Sequence, residues 1–245
     1  MYEYYFLFLI LMLVCALIGG AASAKVNSAY RAYSAMPTAS RMTGYDTAVR
    51  LLRNNGVYGV SVGRVRGTLS DHFHPTKKVV NLSEGVYGTA SIAAVAVAAH
   101  EIGHVVQKEK GYFPYNLRQI LVPLTNIGSR LALPLVLVGM LLDFAVVSTQ
   151  NTSIGFSLAI AGVVLYGLST VFALVTLPVE FNASRRAKKM LVSEGILTEA
   201  ELPYADKMLD AAAATYVASL LTSVVYFLRF ALWVLMLFGG GRRRD

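Results

Sequence analysis

Long apolar stretches alternate with two polar regions along this chain. Residues 5 to 23, YFLFLILMLVCALIGGAAS, carry no charge. At about 1.5 Å per residue they are long enough to cross a bilayer core of about 30 Å. A cleaved signal peptide is the competing reading, but MYEYY carries an acid where a basic n-region belongs, and the run exceeds a usual h-region. A retained anchor is expected. Leu131 to Val147 is a second candidate span, with an apolar lead-in from near Ile120. Ile154 to Leu177 is a third and is uncharged throughout, and Tyr216 to Phe238 is a fourth, interrupted by Arg229. The polar, uncharged STQNTS lies between the second and third spans, which predicts a tight helical hairpin.

The polar regions run from about Lys25 to Arg118 and from about Pro178 to Thr215. In the first, SRMTGYDTAVRLLRNNG reads as a helix with Met42, Val49 and Leu52 on roughly one face and Gly56 as its stop. Val60, Val62 and Val65 then argue for a strand. Leu69 to Phe73 and Lys78 to Leu82 flank HPTK, which reads as a turn. The expectation is a small β-hairpin or meander. Ser91 to about Lys108 reads as one apolar helix, ended by Gly111 and Pro114. In the second polar region, TEAE from Thr198 to Glu201 is a capping box that opens another helix.

The predicted class is an α+β membrane protein, mostly helical, with a small sheet and about four transmembrane helices. Five segments follow: an anchor over 1–24, a first polar region over 25–118, a transmembrane hairpin over 119–177, a second polar segment over 178–215, and a last transmembrane or interfacial helix with a basic tail over 216–245.

Composition agrees with the membrane reading. Of 245 residues, 56% are apolar and 15% charged, less charge than a soluble domain of this size carries. A net charge of +8 raises the question of nucleic acid. The basic residues sit near span ends instead: Lys25 and Arg31, Lys108 and Lys110, the RRAKK run from Arg185, and Arg242 to Arg244. That is a topology signal, and no nucleic-acid partner is expected. Charge around the polar regions makes their side cytoplasmic by the positive-inside rule, although Arg242 to Arg244 disagree if the fourth span crosses fully. The single cysteine, Cys15, lies inside the first span, which excludes a disulfide or a cysteine-based zinc site within one chain.

The candidate chemistry is in AVAVAAHEIGHVVQ. On a helix, His100 and His104 point to one side, about 40° apart around the axis and about 6 Å along it. They can share one ion. Glu101, about 100° away, is poorly placed as a ligand but well placed as a general base toward a water. Two neutral imidazoles with a carboxylate favour zinc. Burying three titratable groups in an Ala- and Val-rich helix without a partner would be costly, and a metal removes that cost. A third ligand is needed; Glu180, His72, His74, Asp71 and Glu84 are candidates. Glu180, in LVTLPVEFNASRRAKKM, stands out because two crossings return the chain to the side of the histidines. The competing reading pairs it with Arg185 or Lys188 on its own helix.

AVAVAAHEIGHVVQ, LPVEFNASRRA and SDHFHPTKKVVNLSEGVYG together closely resemble the YugP-type neutral zinc metallopeptidases of bacterial membranes, from about residue 35 to the last span. That family is similar to the HtpX-type membrane peptidases of the gluzincin group. The resemblance implies a zincin-like catalytic domain, one zinc ion per chain, and Glu180 as third ligand within a Glu-x-x-x-Asp pattern. Ser184 stands where the pattern has Asp, so Ser184 or Asn182 would support a histidine in its place. It also implies a protein or peptide substrate and a part in membrane-protein quality control, in a multi-pass protein of the cell membrane.

The mechanism expected is attack of a zinc-activated water on a peptide carbonyl, with Glu101 moving the proton to the leaving amine. His72, His74, Arg185 and Arg186 are candidate oxyanion or substrate contacts. Turn chemistry beside Pro75 competes for the histidines, and membrane-proximal charge for the arginines. The strands ahead of the zinc helix offer an edge for an extended substrate. A catalytically silent zinc scaffold is the rival function, and the intact Glu101 argues against it. A metal transporter would carry acids and histidines inside its spans, which here hold only Asp143 and Arg229.

Overall fold

The computed structural model describes residues 2–145 and 153–239. The STQNTS connection and Arg242 to Arg244 therefore lie largely or wholly outside the described residues. Among the described residues, seven helices and three strands follow in the order α1 (Tyr2–Ser34), α2 (Gly44–Asn54), β1 (Ser61–Val65), β2 (His72–His74), β3 (Val79–Ser83), α3 (Glu84–Tyr87), α4 (Ile92–Glu109), α5 (Phe113–Ala145), α6 (Ser153–Ser193) and α7 (Leu202–Gly239). Four of these helices, α1, α5, α6 and α7, are long and apolar enough to cross a membrane. The chain is a mostly helical α+β membrane protein.

The chain divides into two compact units. One comprises residues 1–18, 117–175 and 218–245, drawn from the four long helices. Leu133, Leu137, Leu141, Val164, Val171 and Leu235 are exposed on its surface. So apolar an exterior suits lipid rather than water. Inside, α5 and α6 approach through small residues. A Cβ added to Gly162 would lie 2.6 Å from the Ala132 carbonyl, and one added to Gly139 would lie 2.5 Å from that of Gly155. Close backbone packing of this kind replaces hydrophobic driving force where the solvent is itself apolar. Thr170 and Ser223 join α6 to α7 by a hydroxyl pair at 3.0 Å.

The other unit comprises residues 19–116 and 176–217. Its core gathers Leu51 and Leu52 of α2, Val80 and Leu82 of β3, Ile92, Val95 and Ile102 of α4, and Leu191, Ile196 and Met208. Thr43 caps α2 with a reciprocal box: its hydroxyl accepts from the Asp46 amide at 3.1 Å, and the Asp46 carboxylate accepts from the Thr43 amide at 3.0 Å. Gly56 follows at φ +72°, the left-handed stop that glycine supplies most easily. Thr198 and Glu201 form the same kind of box ahead of α7.

The sheet has the order β1-β3-β2. β2 and β3 form the hairpin expected around HPTK, with His72 opposite Asn81. β1, however, is not the first strand of a meander. It pairs in parallel with β3, Ser61 opposite Val79 and Val65 opposite Ser83. β3 takes the centre because it carries Val80 and Leu82, both fully buried. The Asp71 carboxylate, just before β2, accepts from the Ser83 amide at 2.7 Å and its hydroxyl at 2.9 Å, which ties the hairpin to the end of β3.

Candidate metal centre

α4 starts at Ser91, whose hydroxyl accepts from the Ala94 amide at 3.2 Å. Its Ala- and Val-rich first half is buried, so the polar residues that follow are carried into the interior. α6 lies against it at one point of closest approach: a Cβ added to Gly103 would stand 2.7 Å from the Ala183 carbonyl. The α6 residues at helical spacing there, Glu180, Ala183, Ser184 and Ala187, are all buried. A small α6 surface and a glycine on α4 let the backbones meet, and this brings Glu180 to the histidines.

The three side chains converge. Glu180 Oε2 is 3.2 Å from His100 Nε2 and 3.6 Å from His104 Nε2. One donor atom from each of His100, His104 and Glu180 falls within 4.8 Å of the others. Donors of a tetrahedral site with ligand bonds of about 2.0–2.1 Å stand roughly 3.3 Å apart, so the spacing fits zinc. The donor set, two imidazoles and one carboxylate, fits it as well. These three residues could hold the ion that the sequence calls for.

Hydrogen bonds fix which nitrogen of each ring faces inward. The Gln107 side chain is fully buried. Its amide donates to the Val179 carbonyl at 2.8 Å and to Asn182 Oδ1 at 3.1 Å. A carbonyl can only accept, so the amide nitrogen faces Val179 and the oxygen faces His104. His104 Nδ1 lies 2.9 Å from that oxygen and must donate to it. The lone pair of His104 is then on Nε2, toward Glu180. Asn182 is held in turn by Arg186 Nε at 2.7 Å. On the other histidine, Ser184 Oγ stands 3.1 Å from His100 Nδ1. The Tyr115 ring packs 6.2 Å from that of His104.

Glu101 is buried beside the cluster. It makes no hydrogen bond or ion pair to a described residue. Burial pushes its carboxyl up to about 7, with Glu180 and Asp71 adding to the rise and His100 and His72 opposing it. A carboxylate balanced near neutrality can both take and return a proton.

The remaining candidates are engaged elsewhere. His72 Nδ1 faces the Ser70 carbonyl at 2.9 Å and its Nε2 faces the Asn81 amide at 3.1 Å. His74 Nδ1 accepts from the Lys77 amide at 3.3 Å, within the turn. Asp71 holds Ser83, and Glu84 lies 3.9 Å from Arg64. Arg185 is exposed. Gln107 had no place among the sequence candidates. The signal was its position three residues after His104, on the same helical face.

Residues 8–235 match the model of a family described as "Putative neutral zinc metallopeptidase". A curated relative from Bacillus subtilis (strain 168), "Putative membrane protease YugP", is 44% identical over 218 residues, covering 89% of this chain and 90% of the relative. No solved structure matches.

Proposed function

Because the chain belongs to the neutral zinc metallopeptidase family, we propose that it is a membrane-embedded zinc metalloendopeptidase with His100, His104 and Glu180 as zinc ligands and Glu101 as general base. The observation that carries this reading is a buried carboxylate without a partner beside three converging donor atoms. A zinc ion held there supplies Lewis-acid polarisation of a peptide carbonyl and of the attacking water. Glu101 accepts the proton of that water and returns it to the leaving amine. Gln107 and Ser184 orient the imidazoles, so that neither ring needs to turn as the reaction proceeds.

β2 is an edge of the sheet and packs against α4. Lys108 of α4 fastens it: Nζ donates to the Pro75 carbonyl at 2.6 Å and sits 5.7 Å from the centre of the Phe73 ring. An extended substrate would pair along this edge, presenting its scissile bond to the helix. Arg185 and His74 are the candidate substrate or oxyanion contacts. His72 is the weaker candidate, since both ring nitrogens are already engaged. Lys108, Lys110 and the run from Arg185 to Lys189 put positive charge around the site, which supports a cytoplasmic active site. The nearest substrates of a multi-pass protease are other membrane proteins, which supports a part in their quality control.

Removing the metal tests the activity. Protein purified in detergent should contain one zinc per chain and cleave casein. Treatment with a chelator should abolish cleavage, and added zinc should restore it. Chelator-resistant cleavage would exclude a zinc mechanism. The hydrogen-bond relay has its own test. Gln107→Leu should weaken zinc binding by about 10–100-fold in a chelator competition. Equal affinity in wild type and Gln107→Leu would show that His104 needs no such partner.

A further inference from the structure

We propose that the membrane unit carries a binding site for one anionic phospholipid, with its phosphate on Arg229 and an acyl chain in the cavity beside it. Arg229 interrupts the apolar second half of α7. Its recorded contact is to the Met12 sulfur, at 2.9 Å from Nη1. A thioether is a weak acceptor and carries no charge. No carboxylate among the described residues pairs with this guanidinium. An arginine within a membrane segment needs an anion or a path to the interface.

The cavity next to it has a volume of about 360 Å³ and is lined mainly by apolar groups of α1, α5, α6 and α7. The lining residues that carry polar side-chain groups are Ser129, Tyr4, Tyr166, Tyr226, Trp233 and Arg229. The hydroxyls of Tyr4, Tyr166 and Tyr226 make no hydrogen bond among the described residues. An apolar pocket of this size with a few convergent polar groups is the ordinary form of a ligand site. The Phe230 ring stacks on Trp233 at 6.0 Å and tilts against Tyr166 at 5.0 Å, giving one wall a stiff aromatic lining.

Charge chooses the occupant. A neutral hydrocarbon would fill the cavity but leave the guanidinium and three hydroxyls unsatisfied. A zwitterionic headgroup brings its own cation and gains less from Arg229. A phosphodiester with no cation of its own matches the planar guanidinium and accepts from the tyrosines as well. The depth is compatible. Arg229 lies about 15 Å along the helix from Gly239, and its long side chain can reach back toward that end. Trp233 and Tyr4, also in the lining, are residue types that favour headgroup level.

Native mass spectrometry of the full chain, released from detergent after exposure to phosphatidylglycerol, phosphatidylcholine or inorganic phosphate, tests this. Wild type should retain one phosphatidylglycerol in preference to phosphatidylcholine, and inorganic phosphate alone should not bind. Arg229→Leu should lower phosphatidylglycerol retention by about tenfold, the size of one charge-assisted hydrogen bond. Leu133→Trp, which fills the cavity and leaves Arg229 in place, should lower it too, and this variant decides the matter if Arg229→Leu does not fold. Equal retention of the two lipids, retention of neither, binding of phosphate by itself, or retention unchanged in either folded variant would overturn the proposal.

Discussion

Glu101→Gln should keep its zinc and lose its hydrolysis. The substitution preserves size and shape. The native carboxylate holds no described residue in place, so nothing else in the site loses a partner. Burial disfavours the ionised form of Glu101, and a neutral amide removes that penalty, so the fold is not expected to weaken. What disappears is a group able to accept a proton from the attacking water. General acid–base contributions of this kind are about 10²–10⁴-fold, and the loss should fall in kcat. Elemental analysis beside casein cleavage reads both halves. Full zinc with cleavage at the wild-type rate would remove Glu101 from the mechanism.

Glu180→Ala should lose the metal itself. The carboxylate faces both imidazole Nε2 atoms, and its removal leaves two donors where a stable site needs three. Partners that merely orient a ligand are worth about 10–100-fold in affinity; a direct donor should cost at least about 100-fold. Chelator competition measures this, with a melting curve to show that the variant is folded. Glu180→Gln separates charge from shape, since it fills the same volume without an anionic donor, and it should also bind poorly. Stoichiometric zinc in a folded Glu180→Ala would move the third ligand elsewhere, and Asp71 and His72, whose charges act on Glu101, would be examined first.

The parts of this architecture that were legible in the sequence are those that depend on local spacing. The four membrane helices show in runs of apolar residues, α2 in its apolar face and the Gly56 stop, the start of α7 in its capping box, and the β2–β3 turn in HPTK. The histidine pair and Glu101 are set by one turn of one helix. Sheet order is different. That β1 lies beside β3 rather than β2 depends on which strand has two buried side chains to offer α4, and alternation along β1 does not contain that information. The continuity of α6 was hidden by Pro178, which read as the start of a new segment because proline removes a helical hydrogen bond. Glu180 could be ranked by spacing and singled out by resemblance, but the feature that brings it to α4 is Gly103 meeting Ala183, a contact between residues 80 positions apart. Gln107 escaped notice because glutamine neither titrates nor commonly binds metal. Its importance lies in two donors and one acceptor, all used inside the protein.

The distance along the chain between His100 and Glu180, 80 residues, has a meaning in time. A ribosome adding about 5–20 residues per second needs roughly 4–16 s to travel from the first proposed ligand to the last. During that interval the nascent chain holds two imidazoles and the proposed general base but an incomplete donor set. Only after α5 and most of α6 have been synthesised can the third donor reach the first two. A protease whose ligands all lay on one helix could become active while its own unfolded chain was still being threaded into the membrane. Placing the proposed third ligand on α6 would delay that moment until α6 exists, so that the order of synthesis would itself guard against self-cleavage.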